Sequence, residues 1–250
     1  MNIIGIDCAT QPRNVGLARG RLEDGTLTIY QVAAGDAVPL TETIAEWMSS
    51  STLLALDAPL GWPAPLPRVL SNHQAGDRIE SDADVLFNRT TDLTIRKRLN
   101  KRPLEVGAAR IARTALVALR LLGEIRSQTG EAVPLLWEMG IPSETGAIEV
   151  YPAGTLTALG MTIPPYKRSG ARSSRETLLH QLEPEITLET STEAILDSSH
   201  LLDAILCVVA GADFLRQRCI TPPSDDDEVR KEGWIWVRDP NQNLQEETEV

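Results

Sequence analysis

Cysteine is scarce in this chain of 250 residues, with three in all: Cys8, Cys207 and Cys219. The number is odd and no CxxC spacing occurs. This excludes a disulfide framework or a cysteine zinc site as the organising feature and fits a reducing cytoplasm. His73, His180 and His200 stand far apart and give no metal-type spacing among themselves. Long apolar runs are also missing: nothing approaches the roughly 18 residues that a membrane span needs. The opening MNIIGIDCAT has neither the basic n-region nor the long apolar h-region of a signal peptide, and reads as a first strand. Net positive charge is absent too. At −11, the chain is not one that coats nucleic acid nonspecifically, because phosphate binding needs cations. No internal repeat is present.

What is there is the composition of a soluble globular protein that buries a core: 42% hydrophobic and 24% charged. The charge is uneven. Ten basic residues lie between Val85 and Arg126 (Arg89, Arg96, Lys97, Arg98, Lys101, Arg102, Arg110, Arg113, Arg120, Arg126), opposed by Asp92, Glu105 and Glu124. The stretches SDDDEV and LQEETEV near the C-terminus are acidic. The global sum therefore hides a basic region.

NIIGIDCA is apolar throughout, as a central strand buried on both faces should be. NVGLARGRLE and TLTIYQVA follow around Asp24-Gly25, a strong hairpin signal, so the first three strands read as an antiparallel meander. PLTETIAEWMSS reads as a helix, and TLLALDAPLG as a strand ending at Asp57 before Pro59. From about residue 62 to 104 the pattern weakens into a long, mobile insertion. LEVGAARIARTALVALRLLGEIRSQ is a long helix, GAIEVYPA a strand, SSRETLLHQLE a short helix, HLLDAILCVVAGADF a buried helix and GWIWV a final short strand. Trp234 and Trp236 should face the core or an edge. The expectation is an α/β fold with a mixed five-stranded sheet, an antiparallel meander plus parallel crossovers, flanked by helices. It forms one domain over 1–240, with a disordered tail over 241–250.

Four carboxylates fall where such a sheet brings residues together. Asp7 and Asp57 end the first and fourth strands. If these are parallel neighbours, their side chains meet at the C-terminal sheet edge, where open α/β sheets place their sites. Glu149 ends the next crossover strand. Asp203 lies in the first turns of the buried helix, with His200 three residues earlier on the same face. Cys207, Ala210 and Gly211 continue that face and are small enough for close approach to the sheet. Clustered carboxylates repel, and one would be forced to take a proton. A divalent cation reverses that cost. Oxygen ligands favour Mg2+ or Mn2+ over zinc. Two such ions roughly 3.5–4 Å apart could clamp the water and the leaving oxygen of a phosphodiester. Each residue also has a plainer reading. Asp7 could cap a strand, Asp57 could form an Asp-turn, Asp203 could pair with an arginine, and Glu149 could be solvated. His200 could be an ordinary first-turn residue, or the base that deprotonates water. Arg89, Asp92 and Arg96, spaced three and four apart, could line one side of a helix as substrate-phosphate contacts, or could pair among themselves. The stripe Arg110, Arg113, Arg120 is a solvated face or a nucleic-acid contact.

IIGIDCA, LLALDAPLG, IEVYPA and HLLDAILCVVAG together resemble the RNase H-like superfamily. They are closest to the family of domain of unknown function 429, whose members are predicted nucleases of that fold. The His-x-x-Asp pair in the last helix is also similar to the RuvC branch of resolvases. RTTDLTIR and EGWIWV look like further motifs of the family, so the resemblance spans most of the chain. It implies an RNase H-like fold with a metal-binding acidic core, onto which Asp7, Asp57 and Asp203 map by position, with Glu149 and His200 beside them. It implies a Mg2+- or Mn2+-dependent nuclease, a hydrolase acting on DNA or RNA, and RuvC-type resolvases work as dimers. Two other functions compete. One is a non-catalytic module of the same fold that binds a partner or a nucleotide. The other is an actin- or sugar-kinase-like phosphotransferase, since GIDCAT resembles the first phosphate loop of that class. That class needs a duplicated domain and a second Gly-rich loop, neither of which is visible, and Cys8 stands where a glycine would help.

Overall fold

The apolar run NIIGID forms β1 (Asn2–Asp7), buried at every position. β2 (Gly16–Glu23) and β3 (Thr26–Ala34) continue it as an antiparallel meander. Their hairpin turns at Asp24-Gly25, with φ of 49° and 80°, the two left-handed residues that a tight hairpin requires. The computed structural model describes residues 1–107, 109–223 and 226–242. After α1 (Leu40–Trp47), β4 (Thr52–Asp57) returns parallel to β1. Three short helices then follow: α2 (Pro65–Leu70), α3 (Ala83–Phe87) and α4 (Thr90–Leu99). The long α5 (Ala109–Thr129) leads to β5 (Gly146–Glu149), parallel to β4. The remainder is α6 (Pro152–Ala158), α7 (Arg172–Leu182), β6 (Thr187–Leu188), α8 (Thr192–Asp197), α9 (Ser199–Leu215) and α10 (Asp227–Glu232).

The result is a mixed α/β sheet of six strands in the order β5-β4-β1-β2-β3-β6, flanked by helices. One strand more than expected is present, because the two-residue β6 adds to β3 in parallel. GWIWV, in contrast, is not a strand. Ile235 makes a single bridge to Glu149, and Arg238 one to Cys219. Its tryptophans are buried, and the Trp236 ring stands edge-on to Phe214 with centroids 4.8 Å apart. Side-chain packing wins here over strand pairing. Of the expected tail over 241–250, residues 243–250 lie outside the described residues. Among the described residues, no helix is long and apolar enough to cross a membrane.

The pleat sorts the core into two layers. Ile3, Leu53, Ala55 and Ile148 join the cluster around α9, while Ile4, Ile6, Leu54, Leu56 and Ala147 join that of α1 and α5. α9 is buried along almost its whole length and lies close to the sheet because glycines lie beneath it. A Cβ on Gly5 would overlap the carbonyl oxygen of Ala204, and one on Gly16 that of His200. The first turns of α9 are thereby pressed against β1 and β2. Gly5→Ala is expected to cost about 1–3 kcal/mol through overpacking. Urea unfolding reads this directly, and an unchanged midpoint would mean that α9 can lift off.

The insertion is tied to α10 at two points. The Glu232 carboxylate of α10 accepts from Ala64 N at 2.8 Å and from Thr90 N at 2.7 Å.

Candidate active site

Asp7 and Asp57 are direct register partners at the ends of β1 and β4. Both follow the alternation of Ile3 and Leu53 and so face α9. Ser198 caps that helix, its hydroxyl accepting from Leu201 N. The first turn carries His200, whose Nδ1 lies 2.7 Å from Asp7 Oδ2. Asp203, one turn further on, is 2% exposed and completes the group.

The electrostatics show that these groups share one site. Burial pushes the Asp7 carboxyl up to about 6; the His200 hydrogen bond opposes this and the Asp203 charge adds to it. Asp57 is pushed well above the usual carboxylate range, first by burial and then by the charges of Asp7 and Asp203. No hydrogen bond from the described residues offsets this at Asp57. His200 is raised above its ordinary value, chiefly by its bond to Asp7.

The other half of the site was not expected from sequence. Tyr166 and Lys167, in the stretch between α6 and α7, reach Asp203 from outside the helix. The Tyr166 hydroxyl donates to Oδ1 at 2.6 Å, and the Lys167 ammonium sits 2.7 Å from Oδ2. Burial works against the Lys167 charge, but Asp203 outweighs it and pushes the ammonium up to about 12. Burial, then the Asp203 charge, raises Tyr166 as well. The cation paired with Asp203 is a lysine, not the arginine of the plainer reading.

Glu149 does not join the group. Its register partner on β4 is Leu56, not Asp57. The pleat therefore turns it to the opposite face, where both its oxygens bond Arg89 at 2.7 and 2.8 Å. Burial alone would push this carboxyl up; the guanidinium opposes that. Arg89 and Asp92 are each 1% exposed and bonded to one another. The expected substrate contact by these two is corrected: they are closed off from solvent in an internal network. Arg96 remains at the surface, 3.6 Å from Asp84.

The four carboxylates do not form one ligand set. Among the described residues, no group of three or more His, Cys, Asp or Glu could hold a metal ion by itself. The donor chemistry of Asp7 and Asp57 still fits Mg2+ or Mn2+. Such ions commonly take one or two carboxylates and complete their shell with water and substrate phosphate. The half-buried Asp57 carboxyl, standing in register beside Asp7 at the sheet edge, is the observation that favours this fit.

A family model described as "Protein of unknown function (DUF429)" matches residues 5–228. No curated protein matches the chain.

Proposed function

The chain belongs to the DUF429 family, and we propose that it is a metal-dependent phosphodiesterase of RNase H-like fold acting on nucleic acid. Three observations support the reading. The antiparallel meander is followed by parallel crossovers. Two aspartates stand in register at the C-terminal ends of β1 and β4. A histidine and a third aspartate descend on them from α9. The observation that carries it is the pair Asp7 and Asp57, in register at the sheet edge with Asp57 half-buried and no side chain bonded to its carboxyl among the described residues.

Asp7 and Asp57 would hold the ion. A bound divalent cation would acidify a water and neutralise phosphate charge. His200 is oriented by Asp7 through Nδ1, and its raised basicity suits a group that takes the proton from the attacking water. Arg110, Arg113 and Arg120 are exposed on α5, and Lys97 on α4, and these supply cations for a nucleic-acid backbone in a chain of net charge −11.

Calorimetric titration of Mn2+ into the wild type and Asp57→Asn tests the proposal. Binding in the wild type, weakened at least about tenfold in the variant, is expected. A wild type that takes up no Mn2+, alone or with a phosphodiester present, sinks the metal-dependent reading. It would favour instead a module that binds without cleaving. The pairing of Asp7 and Asp203 with His200 and Lys167 already gives that reading some footing.

A further inference from the structure

Asp203 sits in the first turns of α9, where a metal-ligating carboxylate is expected to offer free oxygens. Both oxygens are already engaged: Oδ1 accepts from the Tyr166 hydroxyl and Oδ2 from the Lys167 ammonium. The pair is not an accident of a loose loop. Tyr166 is 3% exposed. Its backbone oxygen accepts from Arg175 Nη1 at 2.7 Å, and the same guanidinium bonds the Leu196 carbonyl through Nε. Arg175 itself is 4% exposed. The stretch that carries Lys167 is therefore nailed to α7 and α8, and Asp203 is held from two sides.

Lys167 differs from its partners. Its side chain remains 56% exposed while the Asp203 side chain is 3% exposed. The ammonium thus stands at the mouth of the site, anchored from below and open to solvent above. Its charge acts on Asp57 and Asp7 as well. Three carboxylates face it and His200. A single divalent cation together with the Lys167 ammonium already balances the three carboxylates, so a second metal ion is not needed to admit a phosphate. A lysine ammonium is a compact point charge suited to phosphate oxygens.

We propose that Asp203 is a positioning residue and not a metal ligand, and that Lys167 is a catalytic residue. Its ammonium binds a non-bridging oxygen of the substrate phosphate, where a second metal ion would otherwise sit. This rests on the phosphodiesterase reading of the site.

The test uses inorganic phosphate and Mn2+ as separate probes on the full chain, with thermal melting as the control for folding. The wild type is expected to bind one Mn2+ per chain and to bind phosphate. Lys167→Met should keep the Mn2+ site and lose at least about tenfold in phosphate affinity, since a charge-assisted contact contributes about 1.5–3 kcal/mol. Lys167→Arg should restore most of it. Asp203→Asn should keep Mn2+ and weaken phosphate. Lys167→Gln, which keeps a donor for Asp203, gives the same comparison if the Met variant folds poorly. Phosphate affinity unchanged in Lys167→Met, or absent in the wild type, overturns the assignment of Lys167. Loss of Mn2+ binding in Asp203→Asn overturns the assignment of Asp203. Lys167-dependent phosphate binding without any Mn2+ binding would instead keep the lysine and remove the metal from the proposed function.

Discussion

Arg89→Met should destabilise the fold by about 3–5 kcal/mol, the cost of leaving buried charge without its partner. The Arg89 side chain is 1% exposed and serves three acceptors. Nη1 and Nη2 grip Glu149. Nε and Nη2 grip Asp92 at 3.1 and 2.9 Å. Nη1 also reaches the Glu232 backbone oxygen at 3.2 Å. The remaining acceptor capacity is met by Leu60 N on Glu149 and by Arg89 N on Asp92. Removing the guanidinium strands two buried carboxylates at once. Glu149→Gln removes only one charge and leaves Arg89 paired with Asp92, so its cost should be smaller. The double variant should lose less than the sum of the singles, because each residue suffers mainly from the other's absence. Urea unfolding of the three variants measures this. Hydrogen exchange should also rise across residues 62–104, since the same network ties α4 to β5 and α10. A loss below about 1 kcal/mol for Arg89→Met would be the value of a solvated pair, and would mean that water reaches the network.

These residues also show how far the sequence alone could go. β1 and β4 were legible because strands buried on both faces read as unbroken apolar runs. Asp24-Gly25 marks its hairpin by chemistry that few other residue pairs permit. Asp7 and Asp57 could be placed at one edge from their positions at strand ends, and the structure puts them in register. Glu149 misled because its strand is four residues long, and its pairing register with β4 leaves no trace in sequence. A slip of one position decides which face a side chain takes. Arg89 misled for a different reason. The spacing to Asp92 and Arg96 is helical, yet Arg89 is the cap of α4 with extended backbone, so it leaves the helix face and turns inward. Lys167 and Tyr166 were invisible. They lie in an irregular stretch joined to Asp203 by no periodicity, and only the fold of α6 to α9 makes the contact. The one available hint was Asp203 itself, a carboxylate in an apolar helix that required a partner.

Asp57→Asn should raise stability at neutral pH by about 0.5–2 kcal/mol while costing at least about tenfold in metal affinity and in any activity that depends on it. The carboxyl faces Asp7 beside it on β1 and Asp203 from α9, feels the Glu149 charge from across the sheet more weakly, and has the Lys167 ammonium as the cation that offsets them. Asn has the same shape and none of the charge. The pH dependence follows from the direction of the shifts. Asp7 and Asp57 both hold protons more tightly in the folded chain than in the unfolded one. A native state that binds more protons loses stability as pH rises. The contribution of Asp7 is fully present below its ordinary value of 3.8 and is lost as pH rises through about 6. That of Asp57 is likewise lost as pH rises above its ordinary value of 3.8. Above about pH 4 the wild type should therefore weaken with rising pH more steeply than Asp57→Asn, so the variant's advantage should grow with pH. Saturating Mn2+ should reverse the order, stabilising the wild type and leaving the variant unmoved. Thermal melts of both proteins at several pH values, with and without Mn2+, contain the whole comparison. A variant that melts below the wild type at pH 7 without metal would show that Asp57 is a structural carboxylate with a partner in solution. A variant that gains stability, with only the wild type responding to metal, would identify a residue kept at the expense of the fold. Such a trade is expected of a carboxylate that serves a ligand.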